Sequence, residues 1–402
     1  MTKATQYKNT PIGPIPTNWE VKKLGELGET LNGLTYSPKD IVEENEGILV
    51  LRSSNIQNDS LVFDDNVFVK SKNLKYNPVE LNDILICVRN GSKSLIGKNA
   101  LITEEAKGVA FGAFMSIYRS ELNSYLYHCF KSDIYQNHIN KNLGATINSI
   151  NGSDLKQFSF PLPPLPEQQK IAEILSTWDK AIQETNAIIK KLEERNNALA
   201  FSLLTGKRRV KGFEEKWDNH KLEYFFEEYS LKPDSKLDLP VFTSSKNGLM
   251  NQSDYYSGGR ISSRENVDYN ILPNGFITYR SRSDDGLFTF NKNNSGYDGL
   301  ISGYYPVFKV VNGDDCFFLY YLNLFKRKLT KYSSGTSQLV LSFKALIKAS
   351  FILPSLEEQI AIAEILNTAN QELKQYQDKL ETLKQQKKGL MQQLLTGKIR
   401  TI

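Results

Sequence analysis

One stretch of this sequence occurs twice, and the second copy follows the first at a constant distance. The first copy begins with LPPLPEQ at residues 162–168 and ends with LLTGK at residues 203–207. The second begins with LPSLEEQ at residues 353–359 and ends with LLTGK at residues 394–398. The displacement is 191 residues at both ends, since 353 − 162 and 394 − 203 are equal. A repeat of this length without gaps indicates a chain built from two similar halves.

Each copy has the pattern of one long helix with marked ends. Prolines precede the first turn, where they hold the chain extended and are tolerated. In the second copy, Ser355 and Glu358 have the spacing of a capping box. Gly206 and Gly397 stand where a helix closes with a left-handed residue. The apolar residues between these ends recur at alternating steps of four and three, which is the heptad pattern of a coiled coil.

The heptad pattern predicts a seam along which the two helices pack. Its residues are Ile171, Leu175, Ile182, Ile189, Leu192, Asn196 and Leu199 in the first copy, and Leu366, Leu373, Leu380, Leu383, Lys387 and Leu390 in the second. Asn196 and Lys387 occupy equivalent positions, and a polar seam residue can fix the register of a coiled coil. Two unrelated surface helices would not share seam, ends and polar position in phase. We therefore expect the helices, each roughly 36 residues and about 54 Å long, to pair antiparallel as a rod.

The sequence outside the repeat predicts two domains of the α+β class with an internal pseudo-twofold repeat. The predicted divisions are a first domain at 1–160, a first helix at 161–210, a second domain at 211–350 and a second helix at 351–402. Both domains open with the spacing W-x-x-x-K-L, at Trp19 and at Trp217. The strand-like runs are at 47–52, 83–89, 113–118, 275–280 and 305–311, and the predicted helices are at 124–139 and 317–329.

Composition narrows the class of protein. The three cysteines lie far apart and form no C-x-x-C pair, which predicts a reducing compartment and no structural zinc site. No run of 18 apolar residues occurs, so we expect no signal peptide, no membrane partner and a cytoplasmic location. A net charge of +5 permits a nucleic-acid partner without requiring one.

Motifs for catalysis or metal binding are absent from the sequence. There is no GxGxxG after a strand, no HExxH and no paired metal-ligand spacing, so no catalytic or metal-binding residue is predicted. Residues 91–99 resemble a phosphate-binding loop, but the segment is one residue too long and lacks the final Ser or Thr. His128 and His138 fall in a predicted helix at a spacing that points them in different directions, which favours core or surface positions.

What remains are loops that mix cations and amides with small residues. The candidate DNA-binding residues are Arg52, Ser53, Asn55, Arg89, Asn90, Ser92 and Lys93 in the first domain, and Lys246, Asn247, Arg280 and Arg282 in the second. Arg can bind guanine edges and Asn adenine edges, whereas Ser and backbone amides reach phosphates. Each loop alone is more often an ordinary turn. Their occurrence in both domains favours two DNA readers.

The twin segments LP(P/S)LxEQ, IAEIL and LLTGK resemble the two repeated regions of the specificity subunit of Type I restriction–modification systems, and the resemblance covers the whole chain. It implies two target-recognition domains, each reading one half of a bipartite asymmetric site in double-stranded DNA. It also implies that the helices dock two modification subunits, which carry S-adenosylmethionine and methylate adenine. Restriction subunits, with ATP and Mg²⁺, would join for cleavage. The chain itself is expected to be non-catalytic and to hold no cofactor.

Two other classes of function stay open from the residues alone. One is a coiled-coil scaffold with no role on DNA. The other is a nuclease or methylase whose site the motifs do not reveal.

Overall fold

The chain forms two compact units. The computed structural model describes residues 6–70, 74–143, 149–233, 238–255 and 269–401. The first unit comprises Met1–Asn186 with Asp378–Ile402, and the second comprises Ala187–Gln377. Both contain helices and strands, as the α+β class requires. This division falls inside both long helices, so the domain boundaries at residues 160, 210 and 350 remain predictions.

The first unit is built on two four-stranded sheets. Its strands are β1 (Tyr7–Thr10), β2 (Gly13–Pro16), β3 (Glu20–Lys23), β4 (Glu29–Asn32), β5 (Ile41–Val42), β6 (Gly47–Leu51), β7 (Ile56–Gln57), β8 (Ser60–Leu61), β9 (Phe68–Lys70), β10 (Ile84–Cys87), β11 (Asn99–Leu101), β12 (Ala110–Phe111), β13 (Met115–Arg119) and β14 (Ser159–Leu162). One sheet has the order β11-β10-β13-β4 and the other the order β12-β6-β9-β5.

Strand β10 explains why the run Ile-Leu-Ile-Cys is apolar throughout. Successive side chains of a strand point to opposite faces. Ile84 and Ile86 pack with the helices of the unit, whereas Leu85 and Cys87 pack with residues of the second sheet. The strand is therefore buried on both faces and lies at the centre of the unit.

One helix predicted for the first unit is divided in two in the structure. The helices of the unit are α1 (Leu24–Leu27), α2 (Asn123–Cys129), α3 (Asp133–Asn142), α4 (Gly152–Lys156), the first part of α5 (Leu165–Leu204) and the last part of α10 (Leu356–Leu394). The prediction of a single helix at 124–139 is wrong, because the helix is interrupted between α2 and α3. Ser132 caps α3 by accepting a hydrogen bond from the Tyr135 amide, and a side-chain cap of this kind starts a new helix.

The second unit repeats this plan. Its strands are β15 (Asp218–Lys221), β16 (Phe226–Glu228), β17 (Val241–Ser245), β18 (Gly248–Asn251), β19 (Tyr269–Leu272), β20 (Ile277–Tyr279), β21 (Arg282–Ser283), β22 (Phe290–Lys292), β23 (Gly299–Ser302), β24 (Val307–Val310), β25 (Leu339–Val340) and β26 (Ser350–Leu353). The order β22-β20-β24-β16 reproduces that of β11-β10-β13-β4, and β17 pairs parallel with β23 as β6 does with β12.

The helices of the second unit are the last part of α5, α6 (Gln252–Tyr255), α7 (Asp315–Leu324), α8 (Lys326–Leu329), α9 (Phe343–Leu346) and the first part of α10 (Leu356–Leu394). The helix predicted at 317–329 is thus also divided, between α7 and α8. Within the part of the chain that the structure describes, no helix is both long and apolar enough to cross a membrane.

Both long helices end as the sequence predicts. Gly206 and Gly397 have φ angles of +70° and +69°, the left-handed conformation that glycine adopts without strain. The capping box predicted for α10 is half formed. The Glu358 amide donates to Ser355 Oγ at 3.4 Å, but the Glu358 carboxylate binds Arg209 and Trp217 instead of the Ser355 amide.

The helices pack antiparallel within each unit. In the first unit, Ile171 at the beginning of α5 shares a core with Leu394 at the end of α10. In the second unit, Leu203 at the end of α5 shares a core with Ile362 at the beginning of α10. Every residue of the predicted seam is buried or half-buried.

The polar seam residues bond to the opposite helix. Asn196 Nδ2 donates to the Ala369 carbonyl oxygen at 2.9 Å in the second unit. Lys387 Nζ pairs with Asp179 Oδ1 at 2.5 Å in the first. Both contacts fix one register, because the residue numbers of each facing pair add to nearly the same value.

A buried carboxylate anchors each domain to its helices. Glu167 is fully buried and accepts hydrogen bonds from Trp19 Nε1 at 2.9 Å and from Arg400 Nε and Nη2 at 2.7 and 2.8 Å. In the second unit Glu358 accepts the same three bonds, from Trp217 and Arg209. We call each group a Trp–Glu–Arg clasp.

Candidate nucleic-acid interface

Three loops of the first unit meet at one end of its sheets. Strands β6 and β12 run parallel with Leu51 beside Phe111, so the loops that follow them emerge together. Strand β10 ends at Cys87, opposite the first residue of β13. The loops after β6, after β10 and between β12 and β13 therefore converge, and we call this surface the first loop cluster.

Hydrogen bonds hold the first loop cluster in shape. Asn90 Nδ2 donates to Ser53 Oγ at 3.2 Å, which joins the loop after β10 to the loop after β6. The Phe114 carbonyl oxygen accepts from the amides of Val88 and Arg89 at 3.0 and 3.1 Å. The loops are thus positioned by one another.

Some of the predicted DNA-binding residues support these loops from within. Asn55 is fully buried, and its amide group donates to the Val62 carbonyl oxygen at 3.0 Å while its oxygen accepts from the Arg52 amide at 2.9 Å. The Arg52 guanidinium is half-buried and paired with Asp65 at 2.8 Å. These contacts leave Asn55 no exposed group for a base edge, so its contribution is to hold the loop.

Other predicted residues are exposed. Arg89, Ser92 and Lys93 all project from the loop after β10. The Arg89 guanidinium lies over the ring of Phe114, 5.9 Å from its centroid. Ser92 Oγ lies 2.8 Å from Ser94 Oγ. The first loop cluster thus presents cations and hydroxyl groups, the groups that bind phosphates and base edges.

The second unit carries a corresponding cluster, formed by the loops after β17, after β20 and between β23 and β24. Lys246 in the loop after β17 forms an ion pair of 2.5 Å with Asp285, which lies just beyond β21 in the segment that follows β20. The hydrogen bond from Lys246 holds the pKa of Asp285 well below its usual range. Ser281 Oγ donates to the Tyr304 carbonyl oxygen at 2.6 Å, which ties in the third loop.

In this second loop cluster, Lys246, Asn247, Arg280 and Arg282 are all exposed. Lys246 is engaged by its ion pair. Arg282 lies over the ring of Tyr304, 4.7 Å from its centroid. The structure therefore brings the predicted residues of this domain together at one end of its sheets.

Sequence reasoning missed two aromatic residues of these surfaces. Phe114 is 58% exposed and Tyr304 is 56% exposed. Phe114 occurs in the strand-like run at 113–118 and Tyr304 directly before the run at 305–311, where an aromatic residue is normally buried. The signal that was available is the glycine two residues before Phe114 and directly before Tyr304, which indicates a turn ahead of each strand.

One cluster of possible metal ligands and one buried histidine lie outside the loop clusters. Asp314, Asp315 and Cys316 place ligand atoms within 4.8 Å of one another. However, Asp314 caps α7 and Asp315 pairs with Lys292 at 2.7 Å. His128 is buried, and its burial lowers the pKa of the imidazole to about 3.

Comparison with solved structures shows the same fold. The S subunit of a Type I restriction–modification system from M. genitalium gives a TM-score of 0.57 at 17% identity, covering 94% of this chain and 96% of that one. A chain from a structure describing assembly and conformational transition of the type I R-M system gives a TM-score of 0.53 at 15% identity, covering 96% and 99%.

Sequence comparison finds specificity subunits of Type I restriction enzymes among the relatives of this chain. The Type I restriction enzyme EcoKI specificity subunit of Escherichia coli is 28% identical over 245 residues, covering 59% of this chain and 51% of the relative. The MjaVIII specificity subunit of Methanocaldococcus jannaschii is 26% identical over an alignment of 421 positions, covering 96% of this chain and 94% of the relative. The Type I restriction modification DNA specificity domain matches residues 16–194 and again residues 210–385. The chain therefore belongs to the family of Type I restriction–modification DNA specificity proteins and carries two copies of the family's domain.

Proposed function

We propose that this chain is the DNA-recognition subunit of a Type I restriction–modification complex, and that each domain reads one half of a bipartite asymmetric site. The observation that carries this proposal is the presence of two specificity domains in one chain, each with a loop cluster at the same end of equivalent sheets. Two different sets of exposed side chains suit two different half-sites, which makes the target asymmetric.

The exposed groups of both clusters support a duplex as the ligand. Arg89, Lys93 and Arg280 are exposed cations on loops, and Arg282 is an exposed cation on the short strand β21. Cations supply the salt-dependent attraction to phosphates, and arginine also reads base edges. The chain is proposed to read DNA and to leave the chemistry to its partners.

We further propose that α5 and α10 form a coiled-coil rod that separates the two readers. Its support is the unbroken helix from Leu165 to Leu204 and from Leu356 to Leu394, about 60 Å each at 1.5 Å per residue. The antiparallel packing within each unit supports the same arrangement. The pseudo-twofold repeat would offer equivalent sites to two modification subunits, which would bring S-adenosylmethionine. Restriction subunits would bring ATP and Mg²⁺.

The test is to express the chain with the modification subunit of its own system and to map methylated adenines in the host DNA. We expect methylation at one bipartite motif that disappears when this chain is omitted. Native mass measurement should give two modification subunits per chain. If the chain alone cleaves or methylates DNA, the alternative hypothesis of a nuclease or methylase is correct instead. If the chain has no affinity for DNA, or one that does not change with salt, the alternative hypothesis of a coiled-coil scaffold is correct, because phosphate contacts make affinity fall steeply with salt.

The rod can be tested by lengthening it. Asn196 faces Ala369, so seven residues inserted between Leu192 and Asn196 must be matched by seven inserted between Ala369 and Leu373 to keep the seam in register. The paired insertion adds about 10 Å, close to the rise of three base pairs at 3.4 Å each. We expect the unread spacer of the motif to lengthen while both specific blocks stay unchanged. A changed block with an intact spacer would contradict the rod.

A further inference from the structure

Strand register reveals which residues of the two domains are equivalent. In the first domain Ile84 of β10 faces Tyr118 of β13. In the second domain Ile277 of β20 faces Phe308 of β24. Tyr118 also faces Thr30 of β4, and Phe308 faces Glu228 of β16, which lies 198 residues after Thr30 just as Trp217 lies 198 after Trp19. With that anchor the partner strands are displaced by 190 residues (308 − 118) and the central strands by 193 (277 − 84). These displacements differ from the 191 of the helices because the loops between them have different lengths.

The same displacements bring two exposed pairs into correspondence. A shift of 193 carries Arg89 onto Arg282, and a shift of 190 carries Phe114 onto Tyr304. A second observation agrees. Arg89 is paired across a β-bridge with Ser149, and Arg282 is paired with Val340, which lies 191 residues after Ser149. Each domain thus places an arginine over an exposed aromatic ring at the same position of its fold.

In each domain the carbonyl oxygen of the aromatic residue accepts a hydrogen bond from the segment that carries the arginine, from backbone amides in the first domain and from a serine hydroxyl in the second. In the first domain the Phe114 carbonyl oxygen is bound by the amides of Val88 and Arg89. In the second, the Tyr304 carbonyl oxygen is bound by Ser281, which a shift of 193 makes the equivalent of Val88. The segment that carries the arginine therefore also holds the aromatic residue in place.

Both guanidinium groups are available for a ligand. Among the residues that the structure describes, neither Arg89 nor Arg282 forms a side-chain ion pair. The acids nearest to Arg282 in sequence are engaged elsewhere, since Asp284 accepts from Gln338 at 3.0 Å and Asp285 pairs with Lys246. Arg280 lacks this symmetry, because its equivalent is the buried Cys87.

The chemistry of this pair indicates its ligand. A guanidinium stacked on an aromatic face keeps its planar fork of donors free along the edge, and the stacking limits the orientations of the side chain. A fixed fork matches the two acceptors, O6 and N7, that guanine presents in the major groove. We propose that Arg89 and Arg282 each read one guanine, one in each half of the target, and that Phe114 and Tyr304 are the positioning residues that hold them.

This inference rests on the proposed function and can fail separately from it. The full-length chain in complex with modification subunits is first used to select its site from a randomised 30-base-pair duplex library, of about the length needed for two half-sites and a spacer. Affinities are then measured for duplexes that each carry one substituted base pair. If the wild-type complex enriches no sequence, the proposed function fails. If it enriches a bipartite site, the variants test the inference.

We expect Arg89→Gln to lose discrimination at a single G·C pair of one half-site, by about tenfold or more, and to leave the other half unchanged. Arg282→Gln should do the same in the other half. Phe114→Ala should reduce discrimination at the Arg89 position, whereas Phe114→Tyr should retain it. Lys93→Ala serves as the matched control from the same loop and should weaken binding to all duplexes alike.

Three outcomes would overturn the inference. The first is that Arg89→Gln and Arg282→Gln weaken binding to every duplex equally, because that identifies phosphate contacts. Complete loss of binding by variants whose melting temperature equals that of the wild type counts as the same outcome. The second is a half-site in which no G·C pair is discriminated. The third is that Phe114→Ala changes discrimination at a position other than that of Arg89.

Discussion

Replacement of Arg400 by glutamine tests the clasp that anchors the first domain. The change removes the two hydrogen bonds of 2.7 and 2.8 Å to Glu167 and leaves Trp19 as its remaining side-chain donor. The carboxylate stays fully buried, whereas Arg400 retains 21% side-chain exposure in the native protein. The variant therefore keeps the buried charge and loses the cation that offsets it.

The size of the effect follows from two limits. Removing one partner of a buried ion pair costs about 3–5 kcal/mol. The variant can limit its loss by protonating Glu167, which at pH 7 costs about 3.7 kcal/mol for a carboxyl group of ordinary pKa near 4.3. We therefore expect Arg400→Gln to lower the free energy of unfolding of the first unit by about 3–4 kcal/mol at pH 7.

The loss should shrink as the pH falls. Burial alone would raise the pKa of Glu167, but the hydrogen bonds from Arg400 and Trp19 outweigh burial and hold the pKa below its usual value. In the native protein the clasp is thus fully stabilising above the unfolded pKa and is lost as pH falls through the folded pKa. In the variant burial raises the pKa of Glu167, so the folded protein binds the proton more readily. Because pH 5 lies close to the ordinary pKa near 4.3, this protonation costs only about 1 kcal/mol there, and the difference from wild type narrows to that size.

Hydrogen exchange resolved by segment during urea titration measures this loss in each unit. Arg209→Gln is the matched variant, since it removes the same bonds from Glu358 in the second unit. We expect each variant to lower protection in its own unit. A loss below about 0.5 kcal/mol for Arg400→Gln, the range of ordinary surface substitutions, would refute the reasoning. An equal loss at pH 7 and pH 5 would refute it as well.

Three further predictions concern the helices and the core. Gly397→Ala should destabilise more than Gly206→Ala, because both have positive φ angles but a Cβ on Gly397 would lie 2.4 Å from Pro16 Cγ while the nearest atom at Gly206 is 3.6 Å away; equal melting temperatures would contradict this. Asn196→Ala should lower the free energy of unfolding by about 1–2 kcal/mol through the lost bond to the opposite helix, whereas the exposed Asn197→Ala should have little effect. Burial depresses the pKa of His128, so the stabilisation from its neutral form is lost as pH falls from about 6.5 toward 3, at up to about 1.4 kcal/mol per pH unit. When the free energy of urea unfolding is plotted against pH, His128→Gln should flatten that part of the curve. An unchanged curve would show that His128 does not titrate there.

The long helices were predictable because their determinants are local. Heptad spacing sets which residues face a partner, and a glycine in the left-handed conformation ends each helix at the expected residue. The repeat motif could be recognised as a pattern, but the partners of its side chains could not be predicted from it. Glu358 has the spacing of a capping residue, yet its carboxylate binds an arginine and a tryptophan about 140–150 residues away in sequence. Local spacing carries no information about such distant partners.

The loop clusters depended on tertiary structure for the same reason. The sequence supplied Arg89 and Arg282 as candidates, since cations in polar loops are recognisable by type. It did not indicate that they are equivalent, because loops of different length shift the strands by 193 and 190 residues instead of 191. Nor did it indicate that Asn55 is buried while Phe114 and Tyr304 are exposed. Hydrophobicity decides whether a residue is buried on average, but at a loop it is the pairing of distant strands that decides which side chains reach the solvent.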